Sequence, residues 1–85
     1  MGIHAPPRRE ELKDRYFTVA CPVCEAVNHV LVTYDPKRNH EIERGLCWSC
    51  GAPVHEEDCF LIWTGNSKAT VERYAEQAAR LRRAL

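Results

Sequence analysis

Up to residue 64 the apolar positions come in short runs or alternate with polar ones, whereas beyond residue 67 they recur at helical spacing. "YFTVA" (16–20) is β-branched and aromatic, and it predicts a strand that runs straight into Cys21. "HVLVTY" (29–34) predicts a clearer strand, and "DPKRN" (35–39) carries the turn chemistry of Asp-Pro and Asn. "HEIERGL" (40–46) alternates, with Ile42 and Arg44 on one face, and leads into Cys47. "APVH" (52–55) reads as a short strand and "EED" (56–58) as a solvated turn. "CFLIWT" (59–64) then reads as a strand apolar enough to be buried. "GNS" (65–67) breaks that strand and offers Asn66 or Ser67 as a helix cap.

The segment from 67 to 85 contains no Gly or Pro and is rich in Ala, Glu, Gln, Leu and Arg, all good helix formers. Val71, Tyr74, Ala78, Leu81 and Leu85 follow at 3-4-3-4 spacing, which sets them on one helical stripe. Such a stripe packs on the chain's own sheet or forms a dimer seam; two heptads are too few to argue a coiled coil, so a monomer is expected. Residues 1–15 are Pro-rich and then charged, an arm with one helical turn at most. The expected organisation is a small α+β fold. It comprises an N-terminal arm (1–15), a body of β-hairpins (16–64) and a C-terminal amphipathic helix packed on that body (67–85).

Composition shows why such a body needs help. Leu, Ile, Val and Phe number 18 of 85 residues, close to the level at which chains stay disordered. A scaffold this small usually carries a staple, and five cysteines are the obvious material. No apolar run approaches the roughly 18–20 residues of a membrane span. The polar start "MGIHAPPRREELKDRYF" lacks a signal-peptide apolar region, so a cytoplasmic, reducing setting is expected, where thiols bind metal rather than pair. Net charge is zero but uneven, with +3 on residues 67–85 and −3 on residues 1–66. A neutral chain is a poor non-specific ligand for nucleic acid, although a basic tail on an acidic body hints at docking.

The cysteines carry the chemistry. Cys21 and Cys24 are followed, after 22 intervening residues, by Cys47 and Cys50. Two Cys-x-x-Cys pairs at such a separation match a tetrathiolate zinc site. A turn with two intervening residues lets both thiolates converge on one ion, while backbone N–H groups offset the sulfur charge. Pro22 suits that turn, and Gly51 can take the positive φ with which it closes. A c-type haem site would need His after the second cysteine, where Glu25 and Gly51 stand, and the βαβ context of a thioredoxin site is absent.

On Cys21, Pro22, Cys24, Cys47, Cys50 and Gly51 the chain resembles the zinc-ribbon superfamily over about residues 16–64. The resemblance implies two hairpin knuckles clamping one Zn²⁺ through the four cysteines beneath a small antiparallel sheet. Glu25 departs from it, standing where glycine is common. Rubredoxins place iron in a similar pair of motifs, but they usually carry glycine after both. Cys59 reads as a buried small hydrophobe; the alternative is a second metal site with His55 and either His29 or His40. Trp48, inside the second knuckle, is either an exposed recognition anchor or a shield over the sulfurs. Phe17, Tyr34, Phe60 and Trp63 are expected in the core.

Four protein thiolates leave zinc no open position, and no nucleophile–base or phosphate-loop pattern appears, so no enzyme activity is expected. The reading preferred from sequence is a non-catalytic zinc module that binds a protein partner. Two alternatives stand beside it. One is nucleic-acid binding through Trp48 and the helix arginines Arg80, Arg82 and Arg83; the other is a rubredoxin-like iron electron carrier.

Overall fold

The computed structural model describes residues 12–84, with side chains as far as Arg80. Residues 1–11 of the expected arm lie outside the described residues. Five strands and one helix follow in order: β1 (Lys13–Ala20), β2 (Val27–Tyr34), β3 (Glu41–Leu46), β4 (Pro53–Cys59), β5 (Leu61–Gly65) and α1 (Lys68–Ala84). The fold is small α+β, with antiparallel strands throughout. One sheet has the order β1-β2-β5, and β3 and β4 form a second, two-stranded sheet.

β2 is the middle strand of the larger sheet and is covered on both faces, which is why "VLVT" contains no outward polar side chain. Val30 and Val32 point one way and form a core cluster with Cys59, bordered by Phe17, Val19, Tyr34 and Ile62. Leu31 points the other way, beneath Val71 and Ala75 of α1. Tyr16, Leu31 and Trp63 are cross-strand neighbours in one row, so the helix lies over a floor of two aromatics and a leucine. The β3–β4 hairpin covers the opposite face. It approaches closely at Gly45, where a Cβ would lie 2.9 Å from Ile62 Cγ2 and 3.0 Å from Thr64 Cγ2. Three layers result, helix on sheet on hairpin.

Several boundaries differ from the sequence reading. Residues 13–15, expected in the arm, open β1 and pair with Val32–Tyr34. "EED" is not a solvated turn. Glu56, Glu57 and Asp58 lie inside β4, where Arg44 and Glu56 face each other across the hairpin as an exposed ion pair (3.3 Å). Glu57 points inward to Arg15 Nη2 (2.5 Å), His55 Nε2 (2.7 Å) and the Tyr34 hydroxyl. "CFLIWT" is not one strand either. The chain bends at Phe60, whose N–H donates to Thr33 O (3.0 Å), and there it passes from one sheet to the other.

The helix is capped by Ser67, whose Oγ accepts from Thr70 N–H (3.1 Å). Its buried stripe is Val71, Ala75 and Ala79, rotated from the expected one; Tyr74 is 43% exposed and Ala78 lies at the margin. Alanines hold the contact because the aromatic floor already fills the space between layers. The Leu81 side chain and Leu85 lie outside the described residues.

Candidate metal centre

Each knuckle is the loop of a hairpin and is closed by its own backbone. In the first, between β1 and β2, Cys21 N–H donates to Ala26 O (2.9 Å) and Glu25 N–H to Cys21 O (2.9 Å). In the second, between β3 and β4, Cys47 N–H donates to Ala52 O (2.7 Å) and Gly51 N–H to Cys47 O (2.9 Å). The two loops therefore share one hydrogen-bond plan, offset by 26 residues. That plan requires a left-handed residue after each second cysteine. Gly51 takes it at φ 81°, and Glu25 takes it at φ 67° despite its side chain. The departure noted in the sequence is thus accommodated by a strained backbone, not by a different turn.

The plan brings the four sulfurs together. Cys21 Sγ lies 3.6 Å from Cys50 Sγ, Cys24 Sγ lies 3.6 Å from Cys47 Sγ, and all four are within 4.8 Å of one another. A sulfur tetrahedron with metal–sulfur bonds of about 2.3 Å has edges of about 3.8 Å, so the donor set fits a single tetrahedral ion. Sulfur tetrahedra of this kind suit zinc and iron alike. Cys21 and Cys47 are buried, whereas Cys24 and Cys50 face outward. The Val23 and Cys24 N–H groups point at Cys21 Sγ (3.4 and 3.5 Å), and Ser49 N–H points at Cys47 Sγ (3.4 Å).

Asn28, which the sequence reading passed over, ties the knuckles together. It is fully buried; its Nδ2 donates to Cys47 Sγ (3.3 Å) and to Ala26 O (3.2 Å), and its Oδ1 accepts from Trp48 N–H (2.9 Å). A carboxamide just after the first knuckle thus orients a ligand of the second, the role outer partners play around metal ligands.

These contacts set the thiol acidities. The Cys24 N–H, and then that of Val23, holds Cys21 below the ordinary thiol range against the effect of burial. Burial pushes Cys47 up, but the Asn28 amide and the Cys50 and Ser49 N–H groups outweigh it and bring it to about 6. At Cys50 the Ala52 N–H pulls down, yet burial and the three neighbouring sulfurs leave it at about 11. Thiolate thus forms readily at the sulfur that Asn28 supports, and the crowded partner is the one a cation would have to deprotonate.

The other candidate residues lie elsewhere. Cys59 is buried against Val30 and Val32, where desolvation pushes its thiol up to about 11. His55 bonds Glu57 and packs edge-on to Phe17, His29 bonds the Tyr16 hydroxyl (2.5 Å), and His40 bonds backbone groups of Asp35. The four-cysteine group is the sole metal-competent cluster among the described residues, so the alternative site around Cys59 does not form. Trp48 is half-exposed, and its indole N–H donates to Val27 O (2.9 Å). Arg80 is exposed on α1; the side chains of Arg82 and Arg83 lie outside the described residues. Among the described residues, no helix is long and apolar enough to cross a membrane. Comparison with family models, curated proteins and solved structures returned no match to the chain.

Proposed function

We propose that the chain is a non-catalytic structural-zinc module whose surface binds a protein partner. The observation that carries this reading is the convergence of four cysteine sulfurs from two hairpin loops, all within 4.8 Å. Bound there, Zn²⁺ would supply cross-linking alone, because four thiolates complete its coordination and leave no place for water or substrate. Cys21 and Cys24 would hold it from the β1–β2 hairpin, and Cys47 and Cys50 from the β3–β4 hairpin. Asn28 keeps Cys47 in place and neutralises part of its charge. Five thiols without a disulfide suit a reducing compartment such as the cytoplasm.

The test has two arms. Elemental analysis of purified protein is expected to give one zinc per chain and a colourless solution. Thiolate-to-iron charge-transfer bands in native protein would assign the centre to electron transfer instead. In the second arm, metal-loaded protein is used as bait in its host extract, beside a Cys47→Ser control. A defined protein recovered in stoichiometric yield by the loaded bait alone supports the reading. Nuclease-sensitive recovery of nucleic acid overturns it.

A further inference from the structure

Among the described residues, four of the six large apolar side chains that stand exposed lie in or beside the two knuckles: Val23 (71%), Val27 (55%), Leu46 (48%) and Trp48 (49%). A domain with few apolar residues does not leave a tryptophan, a leucine and two valines at one end without consequence, since such clusters mark interaction surfaces. Trp48 is also held in place. Its backbone N–H is bound by Asn28 Oδ1 and its indole N–H by Val27 O, both at 2.9 Å, so the ring is fixed along the β2 backbone before any partner arrives. An aromatic ring fixed in advance loses little freedom on binding, which is what the anchor of a protein interface requires.

Charge decides what kind of partner fits. The stretches 16–34 and 45–67, which contain both knuckles, include no Lys or Arg, and the neighbouring Arg44 is paired with Glu56 across the hairpin. Glu25 is exposed at the tip of the first knuckle, beside the four-cysteine cluster. Four thiolates around a divalent ion add a net charge of about −2. Phosphate-rich surfaces, whether nucleic acid or anionic lipid, are repelled from such an end. Cationic groups are attracted to it.

We infer that the knuckle end, formed by Val23, Val27, Leu46 and Trp48 with Glu25 at its rim beside the four-cysteine cluster, docks a protein segment carrying an apolar anchor flanked by Lys or Arg. The anchor packs on the Trp48 ring, and the flanking cations meet Glu25 and the negative charge of the cluster. This rests on the protein-binding reading above and narrows it to one surface and one partner chemistry. It also removes Trp48 from any role alongside the arginines of α1 in binding nucleic acid.

The probe is an unbiased random-peptide phage library selected on full-length, metal-loaded protein. Enriched peptides are expected to pair an aromatic or aliphatic residue with neighbouring Lys or Arg. Their amide-shift perturbations should centre on Val23, Val27, Leu46 and Trp48. Trp48→Ala should weaken binding roughly thirtyfold or more. Because Trp48→Ala also removes a hydrogen bond, Val23→Lys, which removes apolar surface and repels a cationic partner, serves as a second variant. Its side chain is 71% exposed, so fold and metal content should persist while binding falls. Acidic consensus peptides, perturbations centred on α1, unchanged binding by both variants, or no enrichment would each overturn the inference. A protein partner captured equally well by Val23→Lys would overturn this surface while leaving the protein-binding function intact. A single-stranded oligonucleotide competing for the same signals would defeat both.

Discussion

Replacing Asn28 by Ala is the sharpest test of how the two knuckles are coupled. The side chain is fully buried and makes three hydrogen bonds, to Cys47 Sγ, Ala26 O and Trp48 N–H. Its loss leaves the Trp48 N–H without its acceptor, at a cost of about 1–3 kcal/mol. It also removes a charge-assisted donor from the Cys47 thiolate, worth about 1.5–3 kcal/mol. The sum, about 2.5–6 kcal/mol, reaches only the lower end of a typical domain stability of about 5–15 kcal/mol, so the metal-saturated variant should still fold. The sulfur's share should emerge as a metal affinity lower by about 10- to 100-fold. A competition titration against a chromophoric chelator reads the affinity, and urea melts at saturating zinc read the remainder. Asn28→Asp separates the two roles: it keeps the acceptor for Trp48 N–H but sets a carboxylate 3.3 Å from the Cys47 sulfur. It is expected to lose more metal affinity than Asn28→Ala while losing less of the stability measured at saturation. Wild-type metal affinity in Asn28→Ala, or tighter binding in Asn28→Asp, would refute the coupling.

Cys47→Ser removes a ligand that Asn28 and Ser49 support, and structural zinc contributes about 10–16 kcal/mol, so the cooperative melt and the dispersed amide spectrum should disappear. Cys59→Ala should keep one metal per chain and lose roughly 1–3 kcal/mol of packing; in the folded wild type Cys59 should resist alkylation at neutral pH, since burial raises its thiol to about 11. Glu25→Gly relieves a left-handed glutamate and should raise the melting temperature, by the equivalent of about 1 kcal/mol; a lower one would mean the glutamate contributes contacts of its own. Burial pushes the Glu57 carboxyl up, but Tyr34, His55 and Arg15 together hold it below 4.5, so its stabilisation is complete above that pH and fades as acid protonates it. Urea melts of wild type and Glu57→Gln should therefore differ most at neutral pH and converge toward pH 4 and below; a constant gap would argue that Glu57 acts by packing alone.

The four-cysteine candidate site was legible because its information is local. Two short loops each declare two ligands, and the ribbon resemblance needed nothing more than Cys21, Cys24, Cys47, Cys50 and their neighbours. The strand runs around Val30 and Leu61 and the helix after Ser67 were legible for the same reason. What escaped depends on partners distant in the chain. "EED" looks like solvent-exposed sequence until Arg15 and Tyr34, 42 and 23 residues away, are seen to hold Glu57 inside. Asn28 reads as an ordinary strand-edge polar residue until Cys47 and Trp48 arrive from the second hairpin. The phase of the helix was misjudged because Tyr74 looks more apolar than Ala75, whereas the space left above Tyr16, Leu31 and Trp63 suits a methyl group. Hydrophobicity fixed that the helix docks, and volume fixed which face.

Among the described residues, the β3–β4 ribbon shares no main-chain ladder with the β1-β2-β5 sheet. It is joined to that sheet by the knuckles, by the close approach at Gly45, by the Glu57 network and by Cys59 in the Val30–Val32 cluster. An isolated two-stranded hairpin is marginal in water, so its protection against amide exchange is on loan from those attachments. Hydrogen exchange should therefore divide the molecule into two cooperative units. The amides of residues 41–46 and 54–58 would open together and early, while Val30, Leu31 and Val32 would exchange last, near the global limit. The knuckle end would then sense loss of metal first on its second half, carrying Leu46 and Trp48 away from Val27 before the helix-covered sheet is disturbed.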